Sequence, residues 1–324
     1  MPAVDVVVIG GGIVGTAIAA FLAEAGLRVR LHEQETIAAG ASGRNSGIVQ
    51  HPFDPVMAGL YRGTLAEYRR LADDSAASFR LDDEPAGLLY VGRDRAAAER
   101  TAATWAEAWP ASAPEMLDGV ALTRLEPALA PDLVACRLAI GFPVAPAAAT
   151  EAFASQARRL GVEIIVGGGP ARPAIGGDRV RGIEWGGRIE PAGVVVVAAG
   201  PWTPDVIDPG GSWRPIRSSW GVVASVVVAN APRHGLEAID IDIEPSEGDG
   251  RAPDHAGPDE AIEFSLVPAA GSSALGSTFL PDEPDPDAWL DALRRVGSRY
   301  VPGVADAPLL GLRRCARPVS RDGR

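Results

Sequence analysis

The run VVVIGGGIVGTAIAAFLAEAGLRVRLHE, residues 6 to 33, constrains this chain more than any other stretch. Val4 to Ile9 is a short run of valine and isoleucine with little alternation, the pattern of a strand buried on both faces of a parallel sheet. Gly10, Gly12 and Gly15 follow in GxGxxG order. The first glycine of that pattern permits a tight turn, the second lets the backbone approach a diphosphate, and the third lets the helix pack on the strand. Ile13 and Val14 open a helix whose N-terminal amides face the phosphates. Gly26 is a C-cap candidate, and RVRLHE is a second strand ending at Glu33. Glu33 stands at the distance from Gly10 at which a carboxylate accepts hydrogen bonds from ribose hydroxyls, which also disfavours a 2′-phosphate. The ligand therefore carries an ADP half, and both FAD and NAD qualify.

The same stretch is no secretory signal, because the first residues carry no basic group and glycines interrupt the apolar run. Nowhere does the chain reach the roughly 18 uninterrupted apolar residues of a transmembrane helix. The formal net charge of −12 argues against a nucleic-acid partner or an anionic membrane surface. All 30 basic residues are arginines, so Schiff-base, pyridoxal-phosphate and P-loop lysine chemistry are excluded. Cys136 and Cys315 lie far apart with no CxxC or metal-ligand spacing, which suits a reducing cytoplasm and gives no metal site.

The next stretch, IAAGASGRNSGIVQHPFDP at 37 to 55, separates the two cofactors. It resembles the segment that runs along the flavin diphosphate in the FAD-dependent amino-acid and amine oxidoreductases, the family of D-amino acid oxidase, glycine oxidase and sarcosine oxidase. The matching positions are Ala41, Ser42, Arg44, Asn45, Ser46 and Gly47, with Arg44 suited to a phosphate. The alternative is a solvated loop whose serines and asparagine cap a helix starting near Asp54. His51 lies just beyond and reads as structural. The resemblance continues through a helix at about 148 to 160 and a strand at 162 to 166, after which Pro170 matches the adenine-side backbone. A strand from Val194 to Ala198 ends near Gly200, where the family's chain passes close to the cofactor, while Trp202 reads as packing.

The tail LLGLRRCARPVSRDGR resembles the family's last cofactor motif. By that resemblance Arg317 pairs with a substrate carboxylate, and Cys315 stands where some members bond a cysteine to the flavin. The family pattern continues beyond the equivalent of Arg324, so a fragment, a truncated gene product or a subunit completed by another chain is expected.

The resemblance implies an α/β fold: a Rossmann-type FAD-binding domain (1–80, 144–216, 305–324) with an inserted, mostly antiparallel α+β substrate domain (81–143, 217–304). The acidic run at 244 to 260 reads as a mobile loop. The activity implied is oxidation of the C–N bond of a small amino acid or amine, of the D-amino acid, glycine or sarcosine kind, by hydride transfer to the flavin. Positioning then carries much of the rate, and no residue is singled out as acid or base. The electron acceptor is a quinone, an electron-transfer protein or O2; the missing lysine weighs towards a dehydrogenase. An NAD-linked dehydrogenase and a non-catalytic flavin-binding remnant are the alternatives.

Overall fold

The computed structural model describes residues 4–74, 76, 78–239 and 258–322. Most of the acidic run lies outside them. Two large sheets draw on interleaved parts of the chain. The first has six strands in the order Glu163–Val166, Val29–Glu33, Val4–Ile9, Arg188–Val197, Arg179–Trp185 and Ala171–Gly176. Its first four strands are parallel, with Val8 between Leu31 on one side and Val196 on the other. Val7, Val8 and Leu31 have no accessible surface, which is why these strands read as continuous apolar runs. Helix Ile13–Glu24 packs on helix Ala148–Arg159, where Phe21 meets Phe153 edge-on at 5.6 Å.

The strand expected at Val194–Ala198 begins earlier, at Arg188, because it is one arm of a hairpin. Trp185 pairs with Arg188 across Gly186 and Gly187, both with positive φ, the two-residue turn that suits a twisted hairpin. A second antiparallel strand, Ala171–Gly176, completes this extension.

The other sheet has eight strands in the order Leu309–Ser320, Ile216–Val226, Ser272–Thr278, Ile262–Ala269, Gly235–Ala238, Leu88–Gly92, Val134–Leu138 and Glu115–Asp118. Its pairings are antiparallel except that of Gly235–Ala238 with Leu88–Gly92. Alternation gives the sheet two unlike faces. One face buries Leu89, Val222, Ala224, Leu236, Phe264 and Leu275 against Leu293 and Val296 of helix Leu290–Gly297. The other carries the intervening residues, many of them polar. The tail 305–324 supplies the edge strand of this sheet, paired with Ile216–Val226, and also reaches back to the 41–50 segment through Arg313.

Among the described residues no helix is long and apolar enough to cross a membrane.

Candidate functional site

The glycine loop leaves no room for side chains. Gly10 has φ +114°, and a Cβ there would stand 2.4 Å from the Ala198 carbonyl oxygen. A Cβ on Gly15 would stand 2.0 Å from the Gly10 carbonyl oxygen, and one on Gly12 would stand 3.1 Å from Ser42 Oγ. The first glycine therefore closes the strand-to-helix turn and the third brings helix against strand, as the spacing predicts, while Gly12 lies against Ser42. Gly12 is the N-cap of helix Ile13–Glu24, and no acidic side chain occupies the first turn. Its positive end is thus left for an anion. Glu33 closes the loop from the second strand: its carboxylate accepts from the Gly11 N–H at 2.7 Å and the Glu35 N–H at 2.8 Å.

The 41–50 segment lies against this loop. Ser42 Oγ accepts from the Ile13 N–H at 3.0 Å, so Ser42 caps the first helix and not the one after Asp54. That later helix, Pro55–Asp73, is capped by Asp54 itself through the Val56 and Met57 amides. Asn45 shapes its own turn, donating to the Ala41 carbonyl and accepting from the Gly47 N–H at 2.8 Å. Gly47 has φ +83°, and a Cβ there would stand 2.4 Å from the Val144 carbonyl oxygen. Arg44 is exposed. Arg313 fastens the segment to the second sheet, donating to the Arg44 carbonyl at 3.1 Å, the Asn45 carbonyl at 3.0 Å and Ser225 Oγ at 2.6 Å. Ser46 approaches Gly276, where a Cβ would lie 3.6 Å from its Oγ.

Gly200 (φ +57°) opens a short turn to Trp202, directly after the Ala198 N–H bonds the Ile9 carbonyl at 2.8 Å. It therefore sits beside the glycine loop. Trp202 packs near Gly40. Pro170 is exposed between two strands. The contact there falls to Gly167, whose N–H donates to the Glu33 carbonyl at 3.1 Å, and to Val166, the register partner of Glu33.

The polar face of the second sheet meets the 41–50 segment. Cys315 is a free, buried thiol opposite Gly221. Burial pushes its pKa up, while the Arg317, Arg313 and Arg44 charges pull it down. Arg317 lies across Gly221, donates to the Thr278 carbonyl at 2.9 Å and to Ser277 Oγ, and stacks its guanidinium 4.3 Å from the Phe279 ring centroid. Desolvation lowers its pKa, with the Cys315 and Glu263 charges opposing. Further along the face, Gln50 Nε2 donates to Tyr90 Oη and to Glu237 Oε2, each at 3.3 Å. Burial pushes the Tyr90 phenol far up and raises Glu237, whose hydrogen bonds from Tyr90 and Gln50 oppose the rise. Glu263 is raised by desolvation first, with Arg317 lowering it and Glu237 raising it further.

Sequence reading alone did not single out Gln50, Tyr90, Glu237, Glu263 or Arg313. A strand-like run shows that alternate residues share a face, but not which distant strands will lie beside it. His51 sits among Phe53, Tyr61 and Trp109, ring centroids 4.8 to 5.2 Å away, as a structural histidine would.

A diphosphate-binding turn beside a polar sheet face is the architecture of a dinucleotide-dependent redox enzyme. The chain belongs to the FAD dependent oxidoreductase family, which matches residues 5–324. It is an FAD-dependent oxidoreductase, and the NAD-linked alternative gives way to that match. Its fold is that of glycine oxidase from Bacillus cereus (TM-score 0.79, 21% identity, covering 98% of this chain and 84% of that one). Iminodiacetate oxidase from Chelativorans sp. BNC1 superposes with a TM-score of 0.77 at 20% identity, over 97% of this chain and 84% of that one. L-proline dehydrogenase from P. horikoshii gives 0.75 at 18% identity, over 99% and 82%. By sequence, 62 residues are 48% identical to a tRNA 5-methylaminomethyl-2-thiouridine biosynthesis bifunctional protein of Nitrosospira multiformis. That match spans 19% of this chain and 10% of the other protein's length.

Proposed function

We propose that this enzyme oxidises the C–N bond of a small amino acid or amine, with its substrate on the polar face of the eight-stranded sheet. The observation that carries the reading is Arg317: a largely desolvated guanidinium that bonds only neutral oxygens, beside the segment that borders the glycine loop. Such a group is poised for a carboxylate, which a planar fork binds bidentately. The names of the structural neighbours, glycine oxidase, iminodiacetate oxidase and L-proline dehydrogenase, share an amine next to a carboxylate and support the same substrate class.

The cradle fits FAD, because positions 10 and 15 exclude any side chain and a Cβ at position 12 would crowd Ser42, where a diphosphate would approach. Gly10, Gly12, Ile13, Val14 and Gly15 would hold the diphosphate, Glu33 the ribose, and Ala41, Ser42, Arg44, Asn45, Ser46 and Gly47 the length of the cofactor. Gly200 and the stretch around Pro170 would border it. When bound, FAD supplies the two-electron acceptor. Arg317 fixes the carboxylate and thereby the orientation of the carbon to be oxidised, which is the main contribution the protein makes to rate. Cys315, a buried thiol on the same face, would border the flavin.

The absence of any lysine supports a quinone or electron-transfer protein as the acceptor over O2. Two free, buried cysteines support a cytoplasmic setting. We read 1–80 and 144–216 as the FAD-binding part, 81–143 and 217–304 as the substrate part, and 305–324 as a tail serving both.

The test is the visible spectrum of the purified holoenzyme, followed by anaerobic addition of glycine, sarcosine, L-proline and D-alanine. Bleaching of the flavin band by at least one of these, or by another amino acid, is expected. A flavoprotein that no amino acid or amine reduces would overturn the reading.

A further inference from the structure

We infer that Glu263 and Glu237 form an anionic subsite beside Arg317, and that the substrate is an amino acid whose side chain ends in an ammonium or guanidinium. The inference deepens the proposed function and rests on Arg317 as the carboxylate clamp.

Both carboxylates project from the face that carries Arg317. Their strand neighbours Ile262, Phe264, Leu236 and Ala238 are buried in the core on the opposite face. Neither carboxylate has a cation within 4 Å among the described residues. Glu237 is held by neutral donors, the Gln50 amide and the Tyr90 hydroxyl, which fix its direction without balancing its charge. Glu263 stays accessible on the face, with no hydrogen bond to its side chain among the described residues. Glu263 is raised by desolvation and by the Glu237 charge, and Arg317 offsets part of this, so the two acids are a partly desolvated like-charge arrangement that a further cation would relieve. Arg317 acts on Glu263 only through its field, because its donors go to Ser277 and Thr278.

Sheet geometry sets the spacing. Arg317 reaches from the edge strand across Gly221 to strand Ser272–Thr278. Glu263 belongs to the next strand, and Glu237 to the one after, opposite Ser265. Neighbouring strands lie about 4.8 Å apart, so the acids stand about 5 and 10 Å sideways from the guanidinium. A basic amino acid spans that interval. With its carboxylate on Arg317, its terminal cation falls between the two acids and its α-amine stays on the side of the 41–50 segment. A substrate with a neutral or acidic side chain would leave the pair unbalanced, which gives discrimination by repulsion as well as attraction.

The experiment compares ornithine with norvaline, the same carbon skeleton without the terminal amine, in both enantiomers. Anaerobic flavin bleaching by the FAD-loaded enzyme gives kcat/KM for each. Ornithine should be preferred by at least roughly tenfold. Glu263→Gln should reduce that ratio about tenfold, and Glu263→Arg should turn the preference towards glutamate. A wild-type ratio near one, or a ratio that neither variant changes, would overturn the subsite while leaving amino-acid oxidation standing. If no amino acid bleaches the flavin, the proposed function itself fails and the subsite with it.

Discussion

In the six-stranded sheet the groups proposed to face the cofactor are main-chain amides and one carboxylate, gathered close in sequence between Gly10 and Ser42. Gly10 and Gly15, within that stretch, accept no side chain. In the eight-stranded sheet the groups of the proposed substrate end are side chains, Tyr90, Glu237, Glu263 and Arg317, brought together from strands far apart in the chain. The cofactor end is therefore a backbone device with little tolerance for change. The substrate end is a set of interchangeable side chains on a rigid face, where chemistry can be altered without disturbing the core beneath.

The most severe test of that contrast is Gly15→Val. Its side chain would be forced into the Gly10 carbonyl, a backbone group that cannot rotate away. Overpacking of this kind costs about 3 kcal/mol or more, and here it also opens the diphosphate turn. The purified variant should be colourless, with a lower melting temperature. Gly59→Ala is the control: it sits in helix Pro55–Asp73, its added Cβ meets nothing, and helix propensity predicts a gain of up to about 1 kcal/mol. If Gly15→Val keeps its flavin, the cofactor end is not governed by backbone clearance.

On the substrate side the largest effect should come from Arg317→Met. Loss of a charge-assisted, bidentate contact is worth about 3 kcal/mol, or about a hundredfold in kcat/KM for amino-acid substrates. Flavin retention should survive, because the cradle is elsewhere. The reverse outcome, lost flavin with unchanged kcat/KM, would move Arg317 from substrate to cofactor. Stopped-flow bleaching and the ratio of flavin to protein separate the two.

These two tests also mark how far the sequence is legible. The glycine turn, the Ser42 to Gly47 segment and the acid at Glu33 are local, so spacing along the chain is spacing in space. The Gly186–Gly187 hairpin is marked only by its paired glycines, and the valine run beside it reads as a complete strand by itself. Glu237 and Glu263 were not legible. Each is one acid in a strand-like run, and their meeting depends on a strand order, Ser272–Thr278 beside Ile262–Ala269 beside Gly235–Ala238, that no local pattern encodes.

The two sheets should also respond to pH with opposite signs. His32 stands in the six-stranded sheet, with 3% of its surface accessible and neither ring nitrogen hydrogen-bonded among the described residues, Nε2 lying 3.4 Å from Glu190 Oε2. Burial, and then the Arg30 charge, push its pKa from 6.5 to about 4, with Glu163 opposing. The unfolded chain thus takes up a proton that the folded chain refuses. Stability is full above about 6.5 and falls as pH drops towards 4, by roughly 2 to 3 kcal/mol if His32 acts alone. Denaturant midpoints across that window measure it. His32→Leu should flatten the slope; an unchanged slope would assign the acid sensitivity to other groups.

Glu237 supplies the opposite and smaller effect. Burial raises its pKa, so the folded state prefers the protonated form. Its contribution is most favourable below the ordinary carboxylate pKa and is lost as pH rises through the raised one. Glu237→Gln keeps the volume and can keep bonds to Gln50 and Tyr90, yet carries no charge to desolvate. At pH 7 to 8 the variant should melt higher than the wild type by about 2 °C, and the two curves should converge in acid. Its preference for basic substrates should fall at the same time, because the charge that destabilises the fold is the one that holds the substrate cation. A melting difference that stays constant from acid to neutral pH would show that Glu237 is not a strained carboxylate, and the comparison between a backbone-built cofactor end and a charge-built substrate end would lose its second half.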